Sequence, residues 1–381
     1  SLDGVVVSAT RNHSSRKEAP ALVNVIDSRI FATTSSPTLA EGLTFQPGVR
    51  VENDCQNCGF TQARINGLDG HYSQVLIDSR PVFSALAGVY GLEQIPSSMI
   101  DRVEVVRGGG SALFGASAIG GTINIITKEA MSSSAGISHD LTPIGVSGAL
   151  DNNTSLNASM VTDDGRGGLF VFGQKRLRDG YDADGDGFTD IPMINSITVG
   201  TRGHLRVNPF SKIRLEYHGT KELRRGGDRL DLPAHEALIA EQTEHTNNSG
   251  SLSYDGQSQD GRQIWNAYAS AQHIRRSSYY GTGKDPNAYG KTTDLTAVFG
   301  GQYSYKFDCL LFMPAQLTAG LEYNYDDLND VSFGYDYKTS QKVRIFGSYL
   351  QNEWKNARWS LLAGVRMDKH SLISRPVLSP R

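Results

Sequence analysis

Ser196-Ile197-Thr198-Val199-Gly200-Thr201-Arg202-Gly203-His204-Leu205-Arg206-Val207 sorts its side chains by a period of two. Ile197, Val199, Leu205 and Val207 share one face with Thr201 and Gly203; Ser196, Thr198, Arg202, His204 and Arg206 share the other. That is the pleat of a strand with one apolar face. The pattern recurs down the chain. Ile213, Leu215 and Tyr217 oppose Lys212, Arg214, Glu216 and His218; Leu317, Ala319, Leu321, Tyr323 and Tyr325 oppose Gln316, Thr318, Glu322 and Asn324. Trp359, Leu361, Ala363, Val365 and Met367 oppose Ser360, Arg366 and Asp368. Soluble sandwiches use strands of about five or six residues, whereas these segments run to about ten or more, the span that crosses a bilayer at a tilt. Length therefore favours a membrane β-barrel over a soluble sandwich or β-helix. Its apolar residues face lipid, its polar ones face the interior, and aromatics such as Tyr323, Tyr325, Trp354 and Trp359 mark the interfaces.

Composition agrees. Of 381 residues only 38% are hydrophobic and 41 are glycine, which argues against a helical protein. The net charge of -3, from 37 basic and 40 acidic residues, is spread along the chain, so no polybasic block offers a track for nucleic acid. No apolar run reaches the roughly 18 residues of a transmembrane helix, and no uncleaved signal peptide is expected. Neither G-x-S-x-G nor H-E-x-x-H occurs, and the glycines of residues 108–121 lack the Gly-Lys-Ser/Thr ending of a phosphate loop; the reading is non-enzymatic.

Before residue 129 the pattern changes. Strands are expected at residues 63–66, 74–77, 103–107 and 122–127, a helix at 38–43, and a β-rich opening at 5–10, enough for one small α+β domain. The remaining residues, 129–381, hold about a dozen strands, whereas a lumen that encloses a domain takes ~20 or more. With Arg381 following a strand-like segment, the expectation is an incomplete barrel.

Four stretches carry a family resemblance. Asp3-Gly4-Val5-Val6-Val7-Ser8-Ala9 resembles a TonB box, and Ala63-Arg64-Ile65-Asn66-Gly67-Leu68 followed by Val75-Leu76-Ile77-Asp78-Ser79-Arg80-Pro81-Val82 resembles a plug hairpin. Ile95-Pro96-Ser97-Ser98-Met99-Ile100-Asp101-Arg102-Val103-Glu104-Val105-Val106-Arg107-Gly108-Gly109-Gly110-Ser111-Ala112-Leu113-Phe114-Gly115 resembles the plug signature, and Ala118-Ile119-Gly120-Gly121-Thr122-Ile123-Asn124-Ile125-Ile126-Thr127-Lys128 its terminus. Together they resemble the TonB-dependent outer-membrane transporters; within that family, residues 55–59, 84–93 and the barrel stretch Arg224-Arg225-Gly226-Gly227-Asp228 look most like the cobalamin and haem receptor branch.

The resemblance implies an N-terminal α+β plug domain inside a transmembrane antiparallel β-barrel of about 22 strands in full, with only the first dozen or so present. The segments are a box-like stretch at 1–9, the plug at 10–128 and the N-terminal part of the barrel at 129–381. It further implies a bacterial outer membrane, contact with its lipids, TonB and its inner-membrane energising complex as partner, and a surface lipoprotein as a further one. Residues 5–9 would stay unpaired until they add as a strand to the partner's sheet. In the signature, Arg102, Glu104 and Arg107, followed by Gly108, are expected along one side of a strand, pairing with wall charges among Arg202, Arg206, Arg214 and Glu216. Solvated edge charges are the alternative.

The family imports ligands too scarce or too large for porins, with no resident cofactor. Cobalamin or another corrinoid ranks first here, then haem, then a ferric siderophore; a surface adhesion or structural β protein is the alternative of another class. Gln56, Asn57, Phe83 and Tyr90 are the expected ligand contacts from their place at the plug apex. Haem would want His71, His235, His245 or Tyr90.

Two further clusters carry chemistry. Cys55-Gln56-Asn57-Cys58 is a C-x-x-C without a second ligand pair, and a Cys55–Cys58 disulfide in an oxidising compartment is the favoured outcome; Cys309 is expected to be lone and structural. Asp182, Asp184 and Asp186 occupy the first, third and fifth positions of a calcium-loop spacing, with Gly187 and the Phe188 carbonyl next and Asp190 as a fourth carboxylate. Met193 stands where the twelfth-position Glu belongs, so a Ca²⁺ would need another carboxylate such as Asp179. An ordinary polar loop is the alternative.

Overall fold

The computed structural model describes residues 5–6, 8, 11–12, 14–55, 57, 60–81, 91–108, 110–146, 148–356 and 358–381. Its N-terminal part contains β1 (Val5–Val6), β2 (Ser14–Ser15), β3 (Val23–Asp27), β4 (Val49–Cys55), β5 (Phe60–Ile65), β6 (Ser73–Ile77), β7 (Ile100–Arg107) and β8 (Gly121–Thr127). A four-stranded sheet runs β3-β7-β8-β6, and β4 pairs with β5 in a separate hairpin. β6 and β8 are parallel, so the chain between them must cross over; β7 lies antiparallel to β8. The expected helix is Leu39–Leu43, which buries Leu39, Ala40, Gly42 and Leu43.

The second part is one antiparallel sheet of 12 strands in sequence order. These are β9 (Ser134–Ile144), β10 (Ala149–Val161), β11 (Gly167–Arg178), β12 (Met193–Asn208), β13 (Ser211–Gly227), β14 (Ile239–Gln257), β15 (Gln263–Thr282), β16 (Tyr289–Leu310), β17 (Met313–Ser332), β18 (Tyr337–Lys355), β19 (Ser360–His370) and β20 (Val377–Pro380). Short turns at 209–210 and 311–312 close one end; loops such as 179–192 and 228–238 crown the other.

Burial inverts the usual rule, as a lipid-facing wall requires. Val199 is 52% exposed and Leu215 61%, while Arg202 and Glu216 on the opposite face are 6% and 8%. Phe170 and Phe172 break the pattern: both are buried in the core that also holds Ile26, Phe31, Leu43, Ile65, Val103 and Ile125. The wall thus turns aromatic where the plug's apolar core leans on it, and burial of such side chains contributes about 1.5–3 kcal/mol each.

Several expectations need correction. Tyr323 and Tyr325 lie inside β17, not near its end; that strand outruns the roughly ten residues a bilayer takes, so a girdle residue falls in mid-strand. Cys309 is free and exposed rather than structural. Arg107 is three positions past Glu104 and so falls on the other face of β7, where it is exposed. Val5 and Val6 are not unpaired: they pair with Ser15 and Ser14, and Val6 is fully buried against Val23 and Val106. Of the box-like stretch, Asp3, Gly4, Val7 and Ala9 lie outside the described residues.

Candidate functional site

Where plug meets wall, polar side chains from distant parts of the chain are buried together. Glu104 is fully buried in β7. It accepts hydrogen bonds from Ser8 N at 3.0 Å and Ser8 Oγ at 2.7 Å, and from Arg102 Nε at 3.0 Å. Asn124 on the neighbouring β8 donates to Ser8 Oγ at 2.9 Å. The signature charges therefore serve the plug itself. Arg102 pairs with Glu104 at 2.9 Å and Asp101 at 3.0 Å, not with the wall.

The wall charges find other partners. Arg202 Nη1 donates to Asp78 Oδ2 at 2.7 Å, and its cross-strand neighbour Glu216 stands 3.8 Å away. Thr127 donates to the same carboxylate through N and Oγ1, at 3.2 and 2.8 Å. Burial pushes the Asp78 carboxyl up, but Arg202, Arg80 and the Thr127 bonds outweigh it and hold it below the usual range. Desolvation likewise pushes the half-buried Glu93 carboxyl up, but the guanidinium of Arg224, to which it is hydrogen-bonded, holds it low. Glu129, just past the last plug strand, meets Lys212 Nζ at 2.5 Å and Arg214 Nε at 3.6 Å. Arg206 is exposed and takes no part.

A third group sits at mid-wall. Glu322 on β17 receives Arg11 Nη2 at 3.2 Å, Arg366 Nη2 at 3.1 Å and Tyr268 OH at 2.7 Å. Arg366 also donates to the plug carbonyl of Leu113 at 2.9 Å, and Arg11 lies over the Phe114 ring, 4.5 Å from its centroid. Two arginines on one carboxylate, all buried, is the arrangement in which removing one partner strands a charge.

At the long-loop end the plug apex touches the Asp-rich loop. Thr189 Oγ1 donates to Asn57 Oδ1 at 3.3 Å and receives the Gly227 N–H at 2.9 Å; a Cβ on Gly226 would collide with Asn57. Asp182, Asp184 and Asp190 bring one carboxylate oxygen each within 4.8 Å of one another, without Asp186. Asp186 accepts from Phe188 N at 2.8 Å instead, and Asp179 from Leu150 N at 2.9 Å. Backbone N–H groups of Gly187 and Gly185 hold the half-buried Asp182 carboxyl below its usual value. The three grouped carboxylates are a fit donor set for a hard cation such as Ca²⁺.

Cys55 is disulfide-bonded, and its sulfur lies 3.3 Å from Glu241 Oε2. Cys58, Gln56, Phe83 and Tyr90 lie outside the described residues. The histidines are dispersed: His71 in an exposed plug turn, His235 hydrogen-bonded to Tyr289 at 2.8 Å, and His245 buried in β14. Sequence reasoning missed Arg11, Asp78, Glu93, Glu129 and Arg366 as plug–wall contacts. For Arg366 the inward phase of the alternation was the available signal; for Arg11 there was none.

A small α+β body held by buried ion pairs inside a wall of long, apolar-out strands defines a plugged β-barrel receptor. The chain belongs to the TonB-dependent receptor family: residues 15–122 match the TonB-dependent receptor plug domain and residues 147–380 the TonB-dependent receptor-like β-barrel. The vitamin B12 transporter BtuB of Vibrio vulnificus (strain CMCP6) is 26% identical over 374 residues, covering 97% of this chain and 58% of that protein. The BtuB of Vibrio cholerae serotype O1 (strain M66-2) is 34% identical over 124 residues, 32% of this chain and 20% of its own. Among solved structures, the siderophore receptor PirA of Acinetobacter baumannii superposes with a TM-score of 0.79 at 18% identity, over 96% of this chain and 58% of that one. A variant of the ferric enterobactin receptor PfeA of Pseudomonas aeruginosa gives 0.79 at 19%, over 96% and 59%. The 12-stranded sheet is thus a partial barrel relative to these receptors, and the chain spans about 58% of the length of the BtuB relative it matches throughout.

Proposed function

We propose that this chain carries the plug and the first barrel strands of an outer-membrane receptor that imports a scarce, large ligand with energy delivered by TonB, and that the ligand is cobalamin or another corrinoid. The observation that carries the transport reading is the docking of the N-terminal segment. Ser8 is tied to Glu104 inside the plug and Arg11 to Glu322 in the wall, so force applied ahead of residue 8 reaches both bodies. Residues 3–9 then act as the TonB-contacting box, released from this seat to add as a strand to the partner. A link to the inner-membrane energising complex follows from that role, and catalysis is no part of it.

The corrinoid ranking rests on the BtuB relative, whose alignment runs through plug and wall alike. Haem or a ferric siderophore is the second reading; the siderophore-receptor likenesses, below 25% identity, support the fold. Within the corrinoid reading, Asn57 contacts the ligand, together with Gln56, Phe83 and Tyr90, which lie outside the described residues, and a Ca²⁺ on Asp182, Asp184 and Asp190 would stiffen the loop that holds Asn57 through Thr189. Calorimetric titration of the whole receptor in detergent with cyanocobalamin and haem tests the ranking: binding of cyanocobalamin without haem supports it, and binding of haem alone overturns it.

A further inference from the structure

The outward face of the wall changes character along β13–β16. The phase that turns Leu215, Ala271 and Phe299 outward also turns out Lys221, Arg275 and Lys291, all exposed. Strand register sets these three cations together. Thr246 stands opposite Lys221 on one side and Arg275 on the other, while Lys291 stands opposite Ser277, two positions on from Arg275. Arg275 and Lys291 are therefore diagonal neighbours, about 7–8 Å apart at the backbone, and their long side chains can meet on one small anion. From Ser211, at the short-turn end of β13, to Lys221, a tilted strand climbs about 25 Å, the height of a barrel's apolar band. The cations thus lie at headgroup level on the long-loop side.

The two rims of this face differ. At the short-turn end the same outward phase carries Tyr254, Trp265, Tyr303 and Tyr305, aromatic and uncharged. At the long-loop end it carries the three cations and one acid, Glu244, which stands 3.5 Å from Lys221. Asp327 on β17, next along the face, is taken by Lys342 at 3.2 Å. Among the described residues, no ion pair involves Arg275 or Lys291. Arg276, one position on and turned to the lumen, does have a carboxylate, Asp330, at 3.4 Å. Positive charge is thereby left uncompensated on the lipid side of the wall, at one rim, in strands flanked by others on both sides.

We propose that Arg275, Lys291 and Lys221 form a docking site on the outside of the barrel for a lipid with a multiply anionic, phosphate-bearing headgroup in the long-loop leaflet. Its acyl chains lie along the apolar band below, over Leu215, Leu252 and Phe299. The Arg275 guanidinium can take two phosphate oxygens at once, and the lysines add point charges beside it. A zwitterionic headgroup fits this set poorly, because it brings an ammonium of its own to an already positive rim. The inference rests on the outer-membrane placement of the reading above and is independent of which ligand the lumen carries.

The test is lipid retention by the whole receptor taken from vesicles of phosphatidylcholine containing diphosphorylated lipid A, read by native mass spectrometry. The receptor should keep lipid A in preference to phosphatidylcholine. Arg275→Gln combined with Lys291→Gln should weaken that retention about thirty-fold, since each cation near an anionic headgroup contributes about ten-fold or somewhat less. Both side chains are exposed, so the thermal midpoint in detergent should stay unchanged, and Arg275→Lys alone should keep most of the retention. Equal retention of the two lipids, unchanged retention in the double variant, or displacement of lipid A by millimolar inorganic phosphate, which would make the site one for free phosphate, overturns the proposal. Loss of lipid preference beside intact cyanocobalamin uptake would sink this inference and leave the transport reading standing; selective retention without uptake would do the reverse.

Discussion

Arg11 and Glu322 are 311 positions apart in the chain, and their side chains meet at 3.2 Å in a pocket where both are almost wholly buried. The N-terminal segment is thereby fastened to the wall of the lumen. Glu322 also holds Arg366, which holds the plug at Leu113, so one carboxylate ties segment, plug and wall together.

Glu322→Gln should undock the segment. Breaking one side of a buried charge pair costs about 3–5 kcal/mol, far more than a short strand such as Val5–Val6 regains by itself. Hydrogen exchange of residues 5–12 should quicken markedly while the plug core around Ile123 and Ile125 stays protected. Unchanged exchange at the N-terminus would mean that Ser8 and Glu104 carry the docking alone.

Acid should loosen the plug in a definite direction. The Asp78 carboxyl is held low in the folded protein, so its contribution is present above its unfolded value, about 3.9, and is lost as pH falls through the folded value. Glu93 behaves alike. Protease sensitivity of the plug in detergent should therefore rise below about pH 4, and Asp78→Asn should flatten that profile while lowering stability at neutral pH. A profile identical in the variant would remove Asp78 from the account.

How much of this was legible beforehand depends on range. The alternation around Arg202 and Glu216 is local, and it placed both residues on the lumen face. Which acid meets Arg202 is not local: Asp78 sits 124 positions away, in a turn whose neighbours suggested only a hairpin. The signature charges misled for a related reason. Arg102 and Glu104 share a face of β7 and satisfy one another at 2.9 Å, so a pairing within the strand took the place of one across the interface. Arg11 lies at the very start of the plug in a polar stretch, without any periodicity to mark it as buried.

Calcium should act through the apex. If Asp182, Asp184 and Asp190 hold a Ca²⁺, EGTA should lower ligand affinity and the thermal midpoint, because the loop grips Asn57 through Thr189. Asp184→Asn should reproduce the effect and abolish the response to EGTA. If neither quantity moves on chelation, the loop is held by its own backbone hydrogen bonds.

Thiol labelling should report a single site. Cys309 is free and exposed, while Cys55 is disulfide-bonded. Unreduced receptor treated with a maleimide should take up label at Cys309, and label at Cys55 should appear after reduction. Immediate labelling of Cys55 in the unreduced protein would contradict the oxidised state.

The central claim is import driven through the N-terminal segment. Uptake of labelled cyanocobalamin by cells carrying the receptor, with and without residues 3–9, tests it most directly. The account predicts energy-dependent uptake that vanishes with the deletion while binding at the cell surface persists. Uptake that survives the deletion, or no cyanocobalamin bound by either form, would contradict it.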